Sequence, residues 1–266
     1  MEFLIQLTVV VLGSTVGSFL NVVILRYNTG MGFTRGRSKC FSCGKKLRWR
    51  DLLPVLSFLA LHGRCGQCGS KISWQYPAVE AITALLFYAA YAKFGLRLIV
   101  LPVLSALSAC VVIAVYDLRH KIIPLGPMVW LVCSSVVFAF ARIIELGISG
   151  KEALWWLSGC LAFAVPYALI FLLSRGRAMG FGDVELGFGL GFLLGFYGSL
   201  NAAILSFYIG AIVALLLMSA GYLFKRLNSS PFQVKMKSEI PFGPFVIAAA
   251  LSVFFFGVDV LGLALF

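Results

Sequence analysis

Eight runs of apolar residues, most of them close to the ~20 residues a helix needs to cross a hydrocarbon core of ~30 Å, leave this chain little choice of fold. They cover roughly 3–25, 77–93, 98–116, 126–144, 153–173, 184–199, 201–224 and 241–264. Lipid offers the backbone no hydrogen-bond partners, so such runs cross as helices. With 61% of its 266 residues hydrophobic, 12% charged and a mean hydropathy of +0.99, the chain is far too apolar for a soluble domain of its size. The expected fold is all-α and polytopic, with about eight transmembrane helices. The first run is too long for a cleaved signal, and Glu2 stands where a basic n-region belongs. The run at 184–199 is short and carries Gly187, Gly189, Gly191 and Gly195, which suits close helix packing. The alternative for 184–224 is a re-entrant segment followed by one helix.

The charge is uneven. Between the first two runs lie Arg26, Arg35, Arg37, Lys39, Lys45, Lys46, Arg48, Arg50, Arg64 and Lys71. Alternating the loops adds Arg119, Lys121, Arg175, Arg177, Lys225, Arg226, Lys235 and Lys237 to that side and leaves Lys93, Arg97, Arg142 and Lys151 on the other. By the positive-inside rule the basic side is cytoplasmic and both termini are periplasmic. A net charge of +12 thus reflects topology and contact with membrane lipids, not nucleic acid. The expected organisation is a first transmembrane helix over 1–25, a cytoplasmic loop domain over 26–76, and a membrane-embedded core over 77–266. Within the loop, the apolar stretch from Leu52 to Leu61 is too short to span; it packs on the membrane surface or covers a metal site.

That metal site is expected from Cys40-Phe41-Ser42-Cys43 and Cys65-Gly66-Gln67-Cys68, two C-x-x-C turns each followed by a glycine, Gly44 and Gly69. The glycines let the backbone turn tightly around an ion and present amides to the sulfurs. Four thiolates leave no open coordination position, so the expected ion is a structural zinc. Cys110, Cys133 and Cys160 lie in apolar runs, and His62 reads as an exposed loop residue.

Two carboxylates stand at the mouths of apolar runs: Asp117 closes the third, and Asp183 opens the sixth within Gly180-Phe181-Gly182-Asp183. An acid at the membrane boundary is costly and marks a functional site by default. Loop alternation puts both at the cytoplasmic surface. Two Asp side chains held close together share a proton, one acting as base and the other as acid, which is the chemistry of aspartic peptide hydrolysis. Gly180 and Gly182 remove bulk, so that the backbone can leave helical geometry there and another chain can approach. The simpler reading is that each Asp solvates a helix end or pairs with Arg119 or Arg177. His120 beside Asp117 reads as a solvated helix-end residue, and Glu185, two residues past Asp183, falls on a different helix face.

These residues resemble, in order along nearly the whole chain, the type IV prepilin peptidases, also called leader peptidase and N-methyltransferase. The matching stretches are Gly17-Ser18-Phe19-Leu20-Asn21-Val22-Val23 with Arg26, the paired cysteine turns, Leu53-Pro54-Val55-Leu56-Ser57, and Gly63-Arg64-Cys65. They continue with Ile72-Ser73, Tyr76-Pro77-Ala78-Val79-Glu80, Asp117-Leu118-Arg119, Ile123-Pro124, Gly180 to Asp183, and Ile240-Pro241-Phe242-Gly243-Pro244-Phe245. The resemblance implies a bacterial inner-membrane aspartic peptidase that cuts the short basic leader from type IV prepilins and type II secretion pseudopilins at the cytoplasmic face. It implies Asp117 and Asp183 as the catalytic pair and, because the cysteine loop is kept, N-methylation of the new terminus with S-adenosylmethionine. Asn21 and Glu80 become candidate polar residues of the methyltransferase or of the cytoplasmic entrance. Glu185 departs from the family, which often carries Lys there.

Three other readings make different demands. A preflagellin or presenilin-like peptidase would lack the cysteine loop and the stretch from Ile240 to Phe245. A proton- or ion-coupled transporter would place carboxylates near the bilayer midplane on an inverted repeat. A non-catalytic, zinc-scaffolded assembly subunit would tolerate Asp→Asn at both positions but not loss of Cys40 or Cys65.

Overall fold

The computed structural model describes residues 1–30, 32–33, 38–40, 42–226 and 241–262. Arg35, Arg37, Lys235, Lys237 and Ile240, used in the topology and motif readings, lie outside them. Among the described residues the regular structure is helical, and the chain packs as two compact units, Met1–Val112 and Ile113–Phe266. Five helical stretches are long and apolar enough to cross a membrane: Glu2–Arg26, Val100–His120, Leu125–Leu146, Gly150–Ser174 and Phe181–Ser219. A shorter apolar helix spans Gly243–Phe256.

The first unit is organised by α1 (Glu2–Arg26) and α3 (Gln75–Phe94), which pack antiparallel. Gly13 and Gly17, one turn apart, make the contact. A Cβ on Gly13 would lie 2.7 Å from the Ala84 Cα, and one on Gly17 would lie 2.8 Å from the Glu80 Cα. This is small-residue packing of the kind that lets helices meet backbone to backbone in lipid. Between them the loop carries a 3₁₀ turn at Trp49–Leu52 and the short helix α2 (Leu56–Ala60). The helix α4 (Val100–His120) leads out of this unit into the second.

The second unit contains α5 (Leu125–Leu146), α6 (Gly150–Leu157), α7 (Gly159–Ser174), α8 (Phe181–Arg226) and α9 (Gly243–Phe256). The run at 153–173 is therefore two helices joined at Ser158. The stretch α8 is broken at Gly195, whose φ of 69° and ψ of −178° are not helical. Tyr167 shows how sharp the break is. A Cβ on Gly187 would touch its ring at 3.2 Å, while its hydroxyl lies 2.6 Å from Ser206 Oγ. On a straight helix those two positions would be about 28 Å apart, so the halves of α8 fold back on each other as a hairpin. Trp156 packs on Gly195 and donates its indole N–H to the Phe192 carbonyl at 3.2 Å, meeting a backbone group at the break. The glycines of the first half are contact points: Gly187 with Tyr167 and Phe163, Gly189 with Met128 and Val132, Gly191 with Gly159 and Cys160.

Candidate active site

Asp117 and Asp183 both belong to the second unit. Asp117 sits in the last turn of α4, and its carbonyl accepts from Lys121 N–H at 2.7 Å as the helix closes. Its side chain is 5% exposed, and its Oδ2 accepts from the Gly243 N–H at 3.1 Å. Gly243 opens α9, with Pro244 behind it. A helix start of this kind presents unpaired amides and the positive end of the helix dipole, a natural seat for a carboxylate. Glycine lets the carboxylate sit this close, because a Cβ would lie 2.7 Å from the same Oδ2 and push it away.

Asp183 lies in the first turn of α8, where its N–H donates to the Gly180 carbonyl at 3.3 Å, and it is 8% exposed. The side chain of Ile123 links the two positions. A Cβ on Gly182 would fall 3.1 Å from the Ile123 Cβ, and one on Gly243 would fall 3.7 Å from the Ile123 Cδ1. The two carboxyl groups consequently lie at one end of the unit and within electrostatic reach of each other. Of the two flanking glycines, Gly182 makes the close approach, whereas Gly180 leaves ordinary room, with 3.8 Å from a built Cβ to Asp183 Oδ2. Among the described residues neither Asp is in an ion pair with Arg119 or Arg177, which are both exposed. His120 is exposed and stacks on Tyr116 at 4.4 Å, and Glu185 is half-buried. Gly243 and Ile123 were part of quoted motifs, but nothing in the sequence tied them to Asp117; that takes the fold.

Asn21 and Glu80 belong to the first unit. Asn21 Nδ2 donates to the Tyr76 carbonyl at 3.2 Å, and its Oδ1 accepts from Gln75 Nε2 at 3.2 Å, tying α1 to the start of α3. Glu80, buried on α3, accepts the Val55 N–H on Oε2 at 2.7 Å and is also hydrogen-bonded by the Ser18 side chain. Val55 has φ of 59°, a left-handed conformation rare for a β-branched residue, and the Glu80 bond holds it there.

The cysteines form a separate cluster in the first unit. The two turns are built alike. Cys40 N–H donates to Lys45 and Gly44 N–H returns to Cys40, while Cys65 N–H donates to Ser70 and Gly69 N–H returns to Cys65, all at 2.8–2.9 Å. Gly44 and Gly69 have φ of 70° and 68°, which is why glycine stands at both places. All four sulfurs lie within 4.8 Å of one another, and Cys40 and Cys68 are 3.9 Å apart. A tetrahedral site with Zn–S bonds of ~2.3 Å has edges of about 3.8 Å, so the cluster fits a metal ion. The Cys43 and Ser42 backbone groups bring the Cys40 thiol down to about 6, and Ser70 holds Cys68 below its ordinary value. Cys43, despite a backbone bond at Lys45, is pushed up to about 11 by desolvation and by the neighbouring Cys40 and Cys68 sulfurs. His62 is exposed and outside the cluster.

Fold and site together define a polytopic helical membrane protein with a buried pair of aspartates and a cluster of four cysteines that could hold a metal ion. Residues 11–94 match the Bacterial Peptidase A24 N-terminal domain, and residues 104–215 match the Type IV leader peptidase family. A Bacillus subtilis protein named prepilin leader peptidase/N-methyltransferase is 30% identical over 250 residues, covering 93% of this chain and 92% of the relative. Similar proteins of the same name come from Myxococcus xanthus, at 36% over 79% of this chain, and Klebsiella pneumoniae, at 32% over 69%. The chain covers 62% of the length of the Myxococcus protein and 82% of the Klebsiella one. No solved structure matches the chain. The chain belongs to the type IV leader peptidase family.

Proposed function

We propose that this protein is an aspartic endopeptidase of the bacterial inner membrane that removes the short basic leader from type IV prepilins and type II secretion pseudopilins at the cytoplasmic face. The observation that carries this reading is the pair of buried aspartates, in no ion pair among the described residues, with Asp117 seated on the Gly243 amide and Asp183 within electrostatic reach. In the proposed mechanism one carboxylate takes a proton from water as the water attacks the scissile carbonyl. The other carboxyl, protonated, hydrogen-bonds the carbonyl oxygen and then helps protonate the leaving amine. The Gly243 N–H fixes one oxygen of Asp117, leaving the other for this work. Gly182 allows the close packing on Ile123 at the start of α8, and Gly180 supplies the backbone carbonyl that accepts from the Asp183 N–H.

The eight-span topology belongs to the same reading: α1, α3, α4, α5, α6 with α7, the two arms of α8, and α9, with both termini periplasmic. Cys40, Cys43, Cys65 and Cys68 would hold zinc, which supplies a closed crosslink between the two turns of the 26–76 loop domain. N-methylation of the new terminus, with S-adenosylmethionine as donor, follows from the relatives' names. Asn21 and Glu80 are in this scheme polar residues of the methyltransferase or of the cytoplasmic entrance. The test is intact-mass analysis of a purified prepilin incubated with the purified protein in detergent, with and without S-adenosylmethionine. Loss of the leader alone, then of the leader with gain of one methyl group, is the expected pair of results. An intact prepilin in both reactions would refute the reading.

A further inference from the structure

The short helix α2 and the turn before it carry an apolar face that the rest of the first unit leaves uncovered. Phe58 points inward: it is buried, stacks on Trp74 at 4.8 Å, and lies against Gly63. Its neighbours do the opposite. Leu52, Leu53, Leu56 and Leu59 are 41%, 42%, 65% and 60% exposed, and the Trp74 ring beside them is 74% exposed. Leu56 and Leu59, three residues apart, share one face of α2, and the exposed Leu52 and Leu53 lie in the turn that leads into it. Four clustered leucines turned to water would be costly and mark an interaction surface.

The depth of this face follows from the register of α1 and α3. Position 13 faces 84, 17 faces 80, and Asn21 bonds to Tyr76. Glu80 is therefore level with Gly17, nine residues or about 14 Å short of the end of α1 at Arg26. Glu80 in turn holds the Val55 amide at 2.7 Å, in the middle of the leucine cluster. The cluster is thus pinned beside the last turns of α1, a helix long and apolar enough to span, and not out at the tips of the cysteine turns. Charge identifies what meets it. The segment 26–76 carries ten Lys and Arg against a single acid, Asp51, and exposed Arg48 and Arg50 immediately precede Leu52. Apolar residues at that depth, an adjoining tryptophan and a basic rim are the combination that seats a segment in an anionic membrane interface.

We infer that the segment from Leu52 to Ala60 is an interfacial anchor, which buries Leu52, Leu53, Leu56 and Leu59 among the acyl chains and sets Arg48 and Arg50 among anionic headgroups. Glu80 is the positioning residue that fixes its depth. The inference needs α1 to span the membrane but is independent of the proposed chemistry. It predicts that the cysteine turns ride on a membrane-bound base, so that the loop stays at a fixed height above the bilayer.

The experiment places a genetically encoded fluorescent residue at Leu56, and separately at exposed Gln67 in the second cysteine turn. The full chain is reconstituted in vesicles of phosphatidylcholine with phosphatidylglycerol, with or without brominated acyl chains. Brominated lipid should quench position 56 several-fold more than position 67, and aqueous iodide should quench them in the reverse order. Replacing phosphatidylglycerol with phosphatidylcholine should weaken the lipid quenching at 56, as should Arg48→Gln with Arg50→Gln. Equal quenching at the two positions by either agent would overturn the anchor. So would protection of position 56 from iodide that appears only when protein density is raised or when a prepilin is added, since the occupant would then be a second copy or a substrate. Lipid quenching that ignores both headgroup charge and the two arginines would overturn the anionic part of the inference.

Discussion

Replacing Gly243 with alanine isolates the contact that seats Asp117. The Gly243 N–H lies 3.1 Å from Asp117 Oδ2, and an added Cβ would lie 2.7 Å from that oxygen and 3.4 Å from the carboxyl carbon. A methyl carbon and a carboxylate oxygen do not sit that close, so the carboxyl group must turn away from the amide. The backbone itself accepts alanine, since Gly243 is not among the positive-φ residues and opens a helix. A hydrogen bond to a charged group contributes about 1.5–3 kcal/mol. At ~1.4 kcal/mol per factor of ten, its loss slows cleavage by roughly ten- to a hundredfold. Overpacking of this size costs about 1–3 kcal/mol of stability, so the variant still folds. The assay is the initial rate of leader removal from a purified prepilin in detergent, at low and saturating substrate; kcat falls and KM stays near its parent value. Gly180→Ala is the control, because its Cβ would be 3.8 Å from Asp183 Oδ2 and the rate should hold within a few-fold. Parent-like cleavage by Gly243→Ala would show that this amide does not hold Asp117 for catalysis.

Other consequences are open to direct measurement. Gly17→Ala forces a Cβ to within 2.8 Å of the Glu80 backbone and should lower the thermal midpoint in detergent, by about 1–3 kcal/mol of stability; Gly150→Ala, with nothing within 4 Å, should leave it unchanged. The purified protein should contain one zinc per chain by elemental analysis, and chelation or Cys40→Ser should loosen the loop to proteolysis while sparing the intrinsic peptide cleavage. Protons compete with the metal for the thiolates, so zinc should be retained at neutral pH and released on acidification; a loop equally resistant without metal would refute the structural role.

The parts of this structure that could be read from the sequence are those whose causes are local. The cysteine turns are legible because a C-x-x-C with a following glycine closes on itself, as the Gly44 and Gly69 hydrogen bonds do. The apolar runs are legible because length and hydropathy decide a span. The break in α8 is harder: five glycines lie in that run, and Gly195 takes the positive φ where Trp156, 39 residues earlier, packs on it. The division of the 153–173 run at Ser158 likewise depends on Gly159 meeting Gly191 and Gly195. Loop alternation put Asp117 and Asp183 at one face, but their lateral meeting runs through Ile123 and Gly243, and Gly243 is 126 residues from Asp117. The role of Glu80 was hidden for the same reason, since its partner is a strained amide in a loop 25 residues away.

The central claim is that Asp117 and Asp183 together perform the cleavage. Its most direct test is to compare leader removal by the parent with that by Asp117→Asn and Asp183→Asn, each shown by its thermal midpoint and zinc content to be folded. Asparagine keeps the shape and the capacity to accept from the Gly243 amide but cannot exchange a proton. The account predicts a single cut before the pilin's apolar helix by the parent and no detectable product from either variant. Cleavage by a folded variant at the parent's rate would contradict it.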